Sequence, residues 1–214
     1  YLVGRREFFS LMFEITPDVL IPRPETESLV VRAIDLAKSW PSQSIRIADV
    51  GTGSGIIAIT LAKRIKNAQV TAVDISPAAI EVARRNAEKH GVAERVEFMK
   101  SDLFSAVPAD AKFDFVLSNP PYIASADMPT LQSDVRDYEP RLALDGGANG
   151  TEVIERLIPQ AAERLNARGW LLMEVGADNA QRVEALIQSN GSFEIAETVK
   201  DIAGLPRVVQ AKKK

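Results

Sequence analysis

The apolar run Ile45 to Val50 leads into Asp49-Val50-Gly51-Thr52-Gly53-Ser54-Gly55 and then a segment with Ile56, Ile59, Ala62 and Ile65 on one side, and this limits the possible folds more than any other stretch. A short apolar run, a glycine cluster and a 3.6-residue period predict strand, loop and helix in direct succession, the opening unit of a doubly wound α/β fold that takes a nucleotide at its sheet edge. The glycines divide the work: one closes the tight turn, one lets a ligand touch the backbone, and one lets the helix approach the strand. The spacing is G-x-G-x-G rather than G-x-G-x-x-G, so a dinucleotide fits less well than a ligand with a charged amino-acid end.

The pattern continues along the chain. A second strand, Val70 to Val73, ends in Asp74, where an acidic residue would grip ribose hydroxyls, and Ser76-Pro77 then opens a helix through Asn86. A third strand, Val96 to Met99, ends in Ser101-Asp102-Leu103, which sets a carboxylate to accept from an adenine amino group and Leu103 to pack on the base. Taken alone, Asp102 reads equally as an exposed loop residue. With Gly51, Thr52, Gly53, Ser54, Gly55, Asp74 and Asp102 at successive strand ends, one ligand shared across the carboxyl edge is the expectation.

A fourth buried strand, Phe113 to Leu117, delivers Ser118-Asn119-Pro120-Pro121-Tyr122 to that edge. Asn119 offers a side-chain acceptor, Pro121 removes a backbone donor and stiffens the turn, and Tyr122 offers a stacking face. Asn119 and the carbonyl of Pro120 can each accept one N–H of a planar NH2 group while Tyr122 covers its plane, which suits a primary amide or an exocyclic amine. By itself the tetrapeptide also matches a proline-rich turn with an Asx cap.

Before the glycine loop, Phe8, Phe9, Leu11, Phe13 and Ile15 among polar neighbours predict a short hairpin, and Ile21-Pro22-Arg23-Pro24-Glu25-Thr26-Glu27 leads into an amphipathic helix bearing Leu29, Val30, Ala33, Leu36 and Ala37. Pro24 and Glu25 suit a first helical turn, with Arg23 and Glu25 as a local ion pair. After the fourth strand, residues 123–137 read as an irregular flap or solvated loop. Glu152 to Ala167 follows as an amphipathic helix that Pro159 should kink or restart. Trp170 to Val175 is a fifth buried strand and Asn179 to Gln188 a helix. Phe193 to Val199 and Arg207 to Ala211 are two final strands, able to pair antiparallel across the Gly204-Leu205-Pro206 turn.

Bulk properties narrow the class. The 214 residues are 46% hydrophobic and 26% charged, enough for one sizeable core, so one domain with a small accessory segment is expected. Net charge is −3 with no long basic run before Lys212 to Lys214, which argues against a wide nucleic-acid surface or a polybasic membrane anchor. There is no cysteine, and the one histidine, His90, reads as a helix-end residue, so neither thiolate chemistry nor a metal site is expected. No apolar run approaches the length of a membrane span and no signal peptide is visible; the cytoplasm and a monomer are the simplest expectations.

Together these segments resemble the class I methyltransferases that use S-adenosylmethionine, and more narrowly the release-factor glutamine methyltransferases of HemK/PrmC type. The likeness is carried by Tyr1-Leu2-Val3-Gly4 with Glu7-Phe8, Ile21 to Glu27, Asp49 to Gly55, Asp74, Ser101-Asp102, Asn119 to Tyr122, Glu174-Val175-Gly176, and Asp201 to Val208. The resemblance implies a Rossmann-like, doubly wound, seven-stranded and mostly parallel sheet with an antiparallel C-terminal strand, spanning residues 25–214 behind an N-terminal hairpin and lead-in over 1–24. It also implies a helical domain ahead of these, absent from this sequence. By resemblance, Gly51 to Gly55, Asp74, Leu103 and Asn119 contact S-adenosylmethionine. Asn119, Pro120, Pro121 and Tyr122 hold the glutamine of the Gly-Gly-Gln loop of a peptide-chain release factor, the protein substrate, for transfer to its side-chain amide. Pro206 stands where the family more often has an acidic residue and is assigned no role.

Three other readings share parts of this pattern. A glutamine methyltransferase acting on a ribosomal protein would use the same chemistry, but enzymes of that type usually lack the Pro24 to Glu27 portion. An adenine-specific DNA methyltransferase would also use the Asn119 to Tyr122 motif, against which stand the slightly acidic composition and the lack of room for a target-recognition domain. A non-catalytic binding module or a nicotinamide-dependent oxidoreductase is disfavoured by the same motif and by the antiparallel-looking C-terminal pair.

Overall fold

A computed structural model describes residues 3–214. Tyr1 and Leu2, the first two positions of the family resemblance, lie outside the described residues.

The chain opens with the expected hairpin, β1 (Arg5–Phe8) and β2 (Leu11–Glu14), paired antiparallel. It does not stand alone: the Glu14 amide donates to Asn86 Oδ1 at 2.8 Å, and Asn86 Nδ2 donates back to the Glu14 carbonyl at 3.0 Å. Then follow α1 (Thr26–Lys38), β3 (Ile45–Val50), α2 (Ile56–Arg64), β4 (Ala68–Asp74), α3 (Pro77–Lys89), β5 (Val96–Lys100) and β6 (Phe113–Ser118). Asn86 belongs to α3, so the hairpin is fastened to a helix of the main domain. α3 begins as its sequence dictates, with Ser76 Oγ accepting from the Ala79 amide at 3.2 Å and Pro77 in the first turn. His90 caps its other end and packs on Phe13 with ring centroids 4.9 Å apart.

The second half comprises a short α4 (Ser133–Arg136) in the irregular segment, α5 (Glu152–Arg164), β7 (Leu165–Glu174), α6 (Ala180–Asn190), β8 (Phe193–Ile195), β9 (Val199–Lys200) and β10 (Pro206–Lys213). Among the described residues, β3 to β10 form one sheet in the order β5-β4-β3-β6-β7-β10-β8, with β9 also on β10. The pairs from β5 to β7 are parallel and every pair made by β10 is antiparallel. This is the doubly wound, mostly parallel sheet read from the sequence, with the single strand expected over Phe193 to Val199 divided into β8 and the two-residue β9. The central strand β6 is buried at all six positions because helices cover both faces. Two clusters result: one around Leu29, Ile47, Ile59 and Phe115, the other around Ala48, Phe113, Leu157 and Leu171.

Three expectations shift. Pro159 lies inside a continuous α5 rather than restarting it. Its ring removes one helical donor, but Ile154, Leu157, Ile158 and Ala161 are fully buried on the opposing side and hold the helix in register. The same helix stops at Arg164, three residues earlier than its period implied, because Leu165 is extended and already pairs with Phe113. Pro24 and Glu25 precede α1 in a tight turn, with the Glu27 amide bonded to the Pro24 carbonyl at 3.0 Å and the Ser28 amide to that of Glu25 at 3.0 Å.

Candidate active site

The strand order reverses between β3 and β6, where α/β sheets open a crevice at their carboxyl ends. Val50 and Ser118 are partners at that point, and Ser118 Oγ donates to the Val50 carbonyl at 2.7 Å. The glycine loop after β3 and the Asn119 segment after β6 are therefore neighbours. A cavity of about 260 Å³ lies between them. Of the residues expected at the ligand, Gly51, Thr52, Gly53, Ser54, Asp74, Asp102, Leu103, Asn119 and Pro121 line it; Gly55, Pro120 and Tyr122 do not.

Gly55 contributes through packing. Its φ is +84°, and a Cβ there would sit 2.7 Å from Ile59 Cδ1 and 3.1 Å from Ala83 Cβ, so this glycine lets α2 and α3 approach each other. Beneath the loop, fully buried Asp49 accepts from Thr52 Oγ1 at 2.7 Å and from the Ala58 amide at 3.1 Å. Its Oδ1 has no hydrogen-bond partner among the described residues, and burial pushes its carboxyl up to about 7. Asp74 closes the loop from the next strand: Oδ2 accepts from the Gly53 amide at 2.8 Å and Oδ1 from the Ser76 amide at 2.9 Å. Burial raises this carboxyl too, against those two amide bonds. Each Asp74 oxygen keeps lone-pair capacity for a further donor.

Asn119 is held from behind. Its Nδ2 lies 3.4 Å from Thr26 Oγ1 at the start of α1. Burial raises the Glu174 carboxyl, at the end of β7, to about 7, with neighbouring Thr26 and Asn119 acting in the opposite direction. Glu174 Oε2 is buried without a partner among the described residues. Tyr122 stands beside this group, its ring against Gly176, where a Cβ would come within 3.2 Å of Tyr122 Cδ2. Asn179 Nδ2 fixes the Tyr122 carbonyl at 3.0 Å, and burial, followed by the Glu174 charge, raises the phenol.

Two segments cover the cavity. Asp18, Val19, Leu20, Pro22 and Arg23 from the lead-in wall one side, and Pro140, Leu142 and Ala143 from the segment after α4 wall another. Arg23 does not pair with Glu25. Its Nη2 donates instead to Glu139 Oε1, while the Ile21 amide donates to Glu139 Oε2 at 3.3 Å, so one buried carboxylate ties the two covers together. Glu25 lies 3.9 Å from Arg207 of β10, whose stronger partner is Asp201 at 2.8 Å. Asp102 forms an ion pair with Arg156 of α5 at 2.6 Å on the cavity wall.

Sequence reasoning left Asp49, Glu174, Thr26, Glu139 and Arg156 without roles. The signal for the first two was a single acid at a buried position near the carboxyl end of each of two strands; for the cross-chain partners Glu139 and Arg156 there was none. Among the described residues no cluster of three or more His, Cys, Asp or Glu side chains is arranged for a metal, and no helix is long and apolar enough to cross a membrane.

The residues fit an adenosyl ligand. Asp74 retains acceptor capacity for a diol, and Leu103 and Ile75 give apolar walls for a base.

The methyltransferase small domain family model matches residues 29–135. The chain is 42% identical over 214 residues to the release factor glutamine methyltransferase of Rhodopirellula baltica, covering 99% of this chain and 72% of that protein. It is 47% identical over 207 residues to that of Moorella thermoacetica, covering 97% and 72%. The crystal structure of a methyltransferase from Pyrococcus furiosus superposes with a TM-score of 0.66 at 22% identity, covering 96% of this chain and 90% of that one, a likeness of fold. With this fold, this crevice and these relatives, the chain belongs to the release factor glutamine methyltransferase family.

Proposed function

We propose that this enzyme transfers a methyl group from S-adenosylmethionine to the side-chain amide nitrogen of the glutamine in the Gly-Gly-Gln loop of a peptide-chain release factor. The observation that carries this reading is the tethering of Asn119. With Nδ2 directed at Thr26 Oγ1, 3.4 Å away, the group left for a substrate is the acceptor Oδ1. An acceptor is what an incoming primary amide requires.

When bound, S-adenosylmethionine supplies an electrophilic methyl, whose bond to sulfur breaks as the bond to nitrogen forms. Everything else falls to the chain. Gly53 and Asp74 frame the adenosyl end of the cavity, and Asp74 accepts from the ribose hydroxyls. Asn119 Oδ1 and the Pro120 carbonyl each accept one N–H of the substrate amide, and Tyr122 covers its plane. An amide nitrogen is a poor nucleophile because its lone pair is delocalised. Holding it about 3 Å from the methyl carbon, with both N–H bonds polarised, supplies much of the acceleration. The nitrogen sheds its proton after methyl transfer, so no strong base is required at Asn119.

The test is transfer of labelled methyl from S-adenosylmethionine to purified release factor, with a Gln→Ala variant of its Gly-Gly-Gln loop, ribosomal protein and duplex DNA as parallel acceptors. Label on the intact release factor alone is the expected result; label on another acceptor, or on the Gln→Ala variant, overturns the reading. Asp74→Asn keeps an acceptor but removes the charge, and is expected to weaken cofactor binding about tenfold. Unchanged affinity by titration calorimetry would show that the ribose is held elsewhere.

A further inference from the structure

A glutamine that reaches Asn119 leaves its own backbone, and the residues on either side of it, at the rim of the crevice. Beyond Tyr122 that rim is formed by the turn between β9 and β10. Because β10 runs antiparallel to β7, its first residues lie at the carboxyl edge of the sheet. The Val175 amide donates to the Arg207 carbonyl at 2.9 Å, and Gly176, the next residue, packs on the Tyr122 ring. Residues 201–205 therefore stand on the same edge as the Asn119 to Tyr122 segment.

The turn is tightly bonded within itself. The Asp201 amide donates to the Leu205 carbonyl at 2.9 Å, and the Gly204 amide to the Asp201 carbonyl at 2.9 Å, with Gly204 at a φ of +79° that suits a residue lacking Cβ. Asp201 Oδ1 accepts from the amides of Ala203 at 2.9 Å and Leu205 at 3.0 Å, and its Oδ2 from Arg207 Nε at 2.8 Å. The one charged side chain of the turn is thus spent inside it. What faces outward is apolar. Ile202 is fully exposed, more so than any other large apolar side chain among the described residues, and Leu205 is 44% exposed. Neither belongs to a core cluster, so packing within the fold does not account for them. A turn already held in one shape loses little conformational freedom on contact, which favours binding through the side chains it carries.

We infer that Ile202 and Leu205 form an apolar docking point for the release factor, receiving residues close to the methylated glutamine. This rests on the methyl-transfer reading and extends it from the reacting amide to the protein surface around it. The choice of occupant follows from position: Tyr122 and the turn are joined through Gly176, Val175 and Arg207, so a protein surface that delivers a glutamine to Tyr122 continues onto the turn on that side. Chemistry agrees. The stretch Ile202 to Pro206 carries no charge, which suits an apolar patch on a protein and offers nothing to a phosphate backbone. An isoleucine projecting from a fixed turn is the kind of anchor that fills a small pocket on a partner, with the polar rim supplied by its surroundings.

Ile202→Ser is the direct test, because the side chain touches nothing whose loss would disturb the fold. The wild-type enzyme is assayed first for methyl transfer to purified release factor; failure there would overturn the methyl-transfer reading and this inference with it. Given an active wild type, Ile202→Ser is expected to raise KM for the release factor about tenfold, and Ile202→Ser combined with Leu205→Ser to raise it further. The kcat at saturating release factor and the affinity for S-adenosylmethionine should stay within about twofold. Ile202→Val, which keeps an apolar side chain, should bring KM back to within about threefold of wild type. Calorimetric titration of release factor into enzyme loaded with S-adenosylhomocysteine should show the same weakening directly. An active wild type whose double variant keeps its KM overturns the docking inference and leaves the methyl-transfer reading standing. A fall in kcat with KM unchanged overturns it as well. So does a change of oligomeric state in Ile202→Ser on size-exclusion chromatography, which would make a second copy of this chain the occupant.

Discussion

Asn119→Ala is expected to lower kcat for release-factor methylation by about 100-fold or more, on the order of 3 kcal/mol of transition-state stabilisation. The reasoning is local. Asn119 lines the cofactor cavity, and its Oδ1 is the amide acceptor of the Asn119 to Tyr122 motif. Truncation also removes the amide that approaches Thr26 Oγ1 at 3.4 Å. Cofactor affinity should change much less, because the glycine loop and Asp74 remain. Steady-state kinetics together with calorimetric titration of S-adenosylmethionine separates the two effects, and a variant with full turnover would remove Asn119 from the mechanism.

The second large effect is expected at Glu139, which touches no reacting group. Its carboxylate holds the Arg23 guanidinium and the Ile21 amide, and its side chain is 1% exposed. Glu139→Ala leaves the Ile21 amide without its acceptor and returns the third-exposed Arg23 guanidinium to water, a loss on the order of 2 kcal/mol. That loss falls mainly on the closed arrangement of the two covers rather than on the sheet, since Glu139 contributes to neither core cluster. Affinity for S-adenosylmethionine should therefore drop about 10- to 100-fold while the thermal midpoint of the unliganded protein moves by only a few degrees. Calorimetry and a melting curve on the same preparation test this; unchanged cofactor affinity would mean that the Arg23–Glu139 tie does not hold the cavity shut.

Most of the fold was legible because its signals are local. Strands such as Ile45 to Val50 and Phe113 to Leu117 are apolar runs, α3 carries its own cap in Ser76-Pro77, and the glycine cluster marks the turn between β3 and α2. From those, the crevice at the strand reversal follows by topology, and nine of the residues expected at the ligand line its cavity. What could not be read was pairing at a distance. Arg23 and Glu25, two residues apart, look like partners in sequence, but the turn ahead of α1 sends Arg23 to Glu139 and leaves Glu25 near Arg207. Asp102 reads as a free carboxylate until α5 brings Arg156 to it. Pro159 does not restart α5, because the propensity of one residue is outweighed by the buried side of a whole helix.

The position of β10 bears on how the protein comes to be folded. This strand joins β7 on one side to β8 and β9 on the other, and all three precede it along the chain. Until residues 206–213 have been made, β7 is an edge strand whose amides and carbonyls along Leu171 to Met173 lack partners on that side, with Leu172 and its two neighbours pointing to opposite faces of the sheet. Sheet closure is thus a late, long-range event, and an incomplete chain presents a flat, sticky border suited to pairing with another copy of itself. The seam between β7 and β10 is accordingly where arrested synthesis or C-terminal trimming would turn a soluble intermediate into an aggregate.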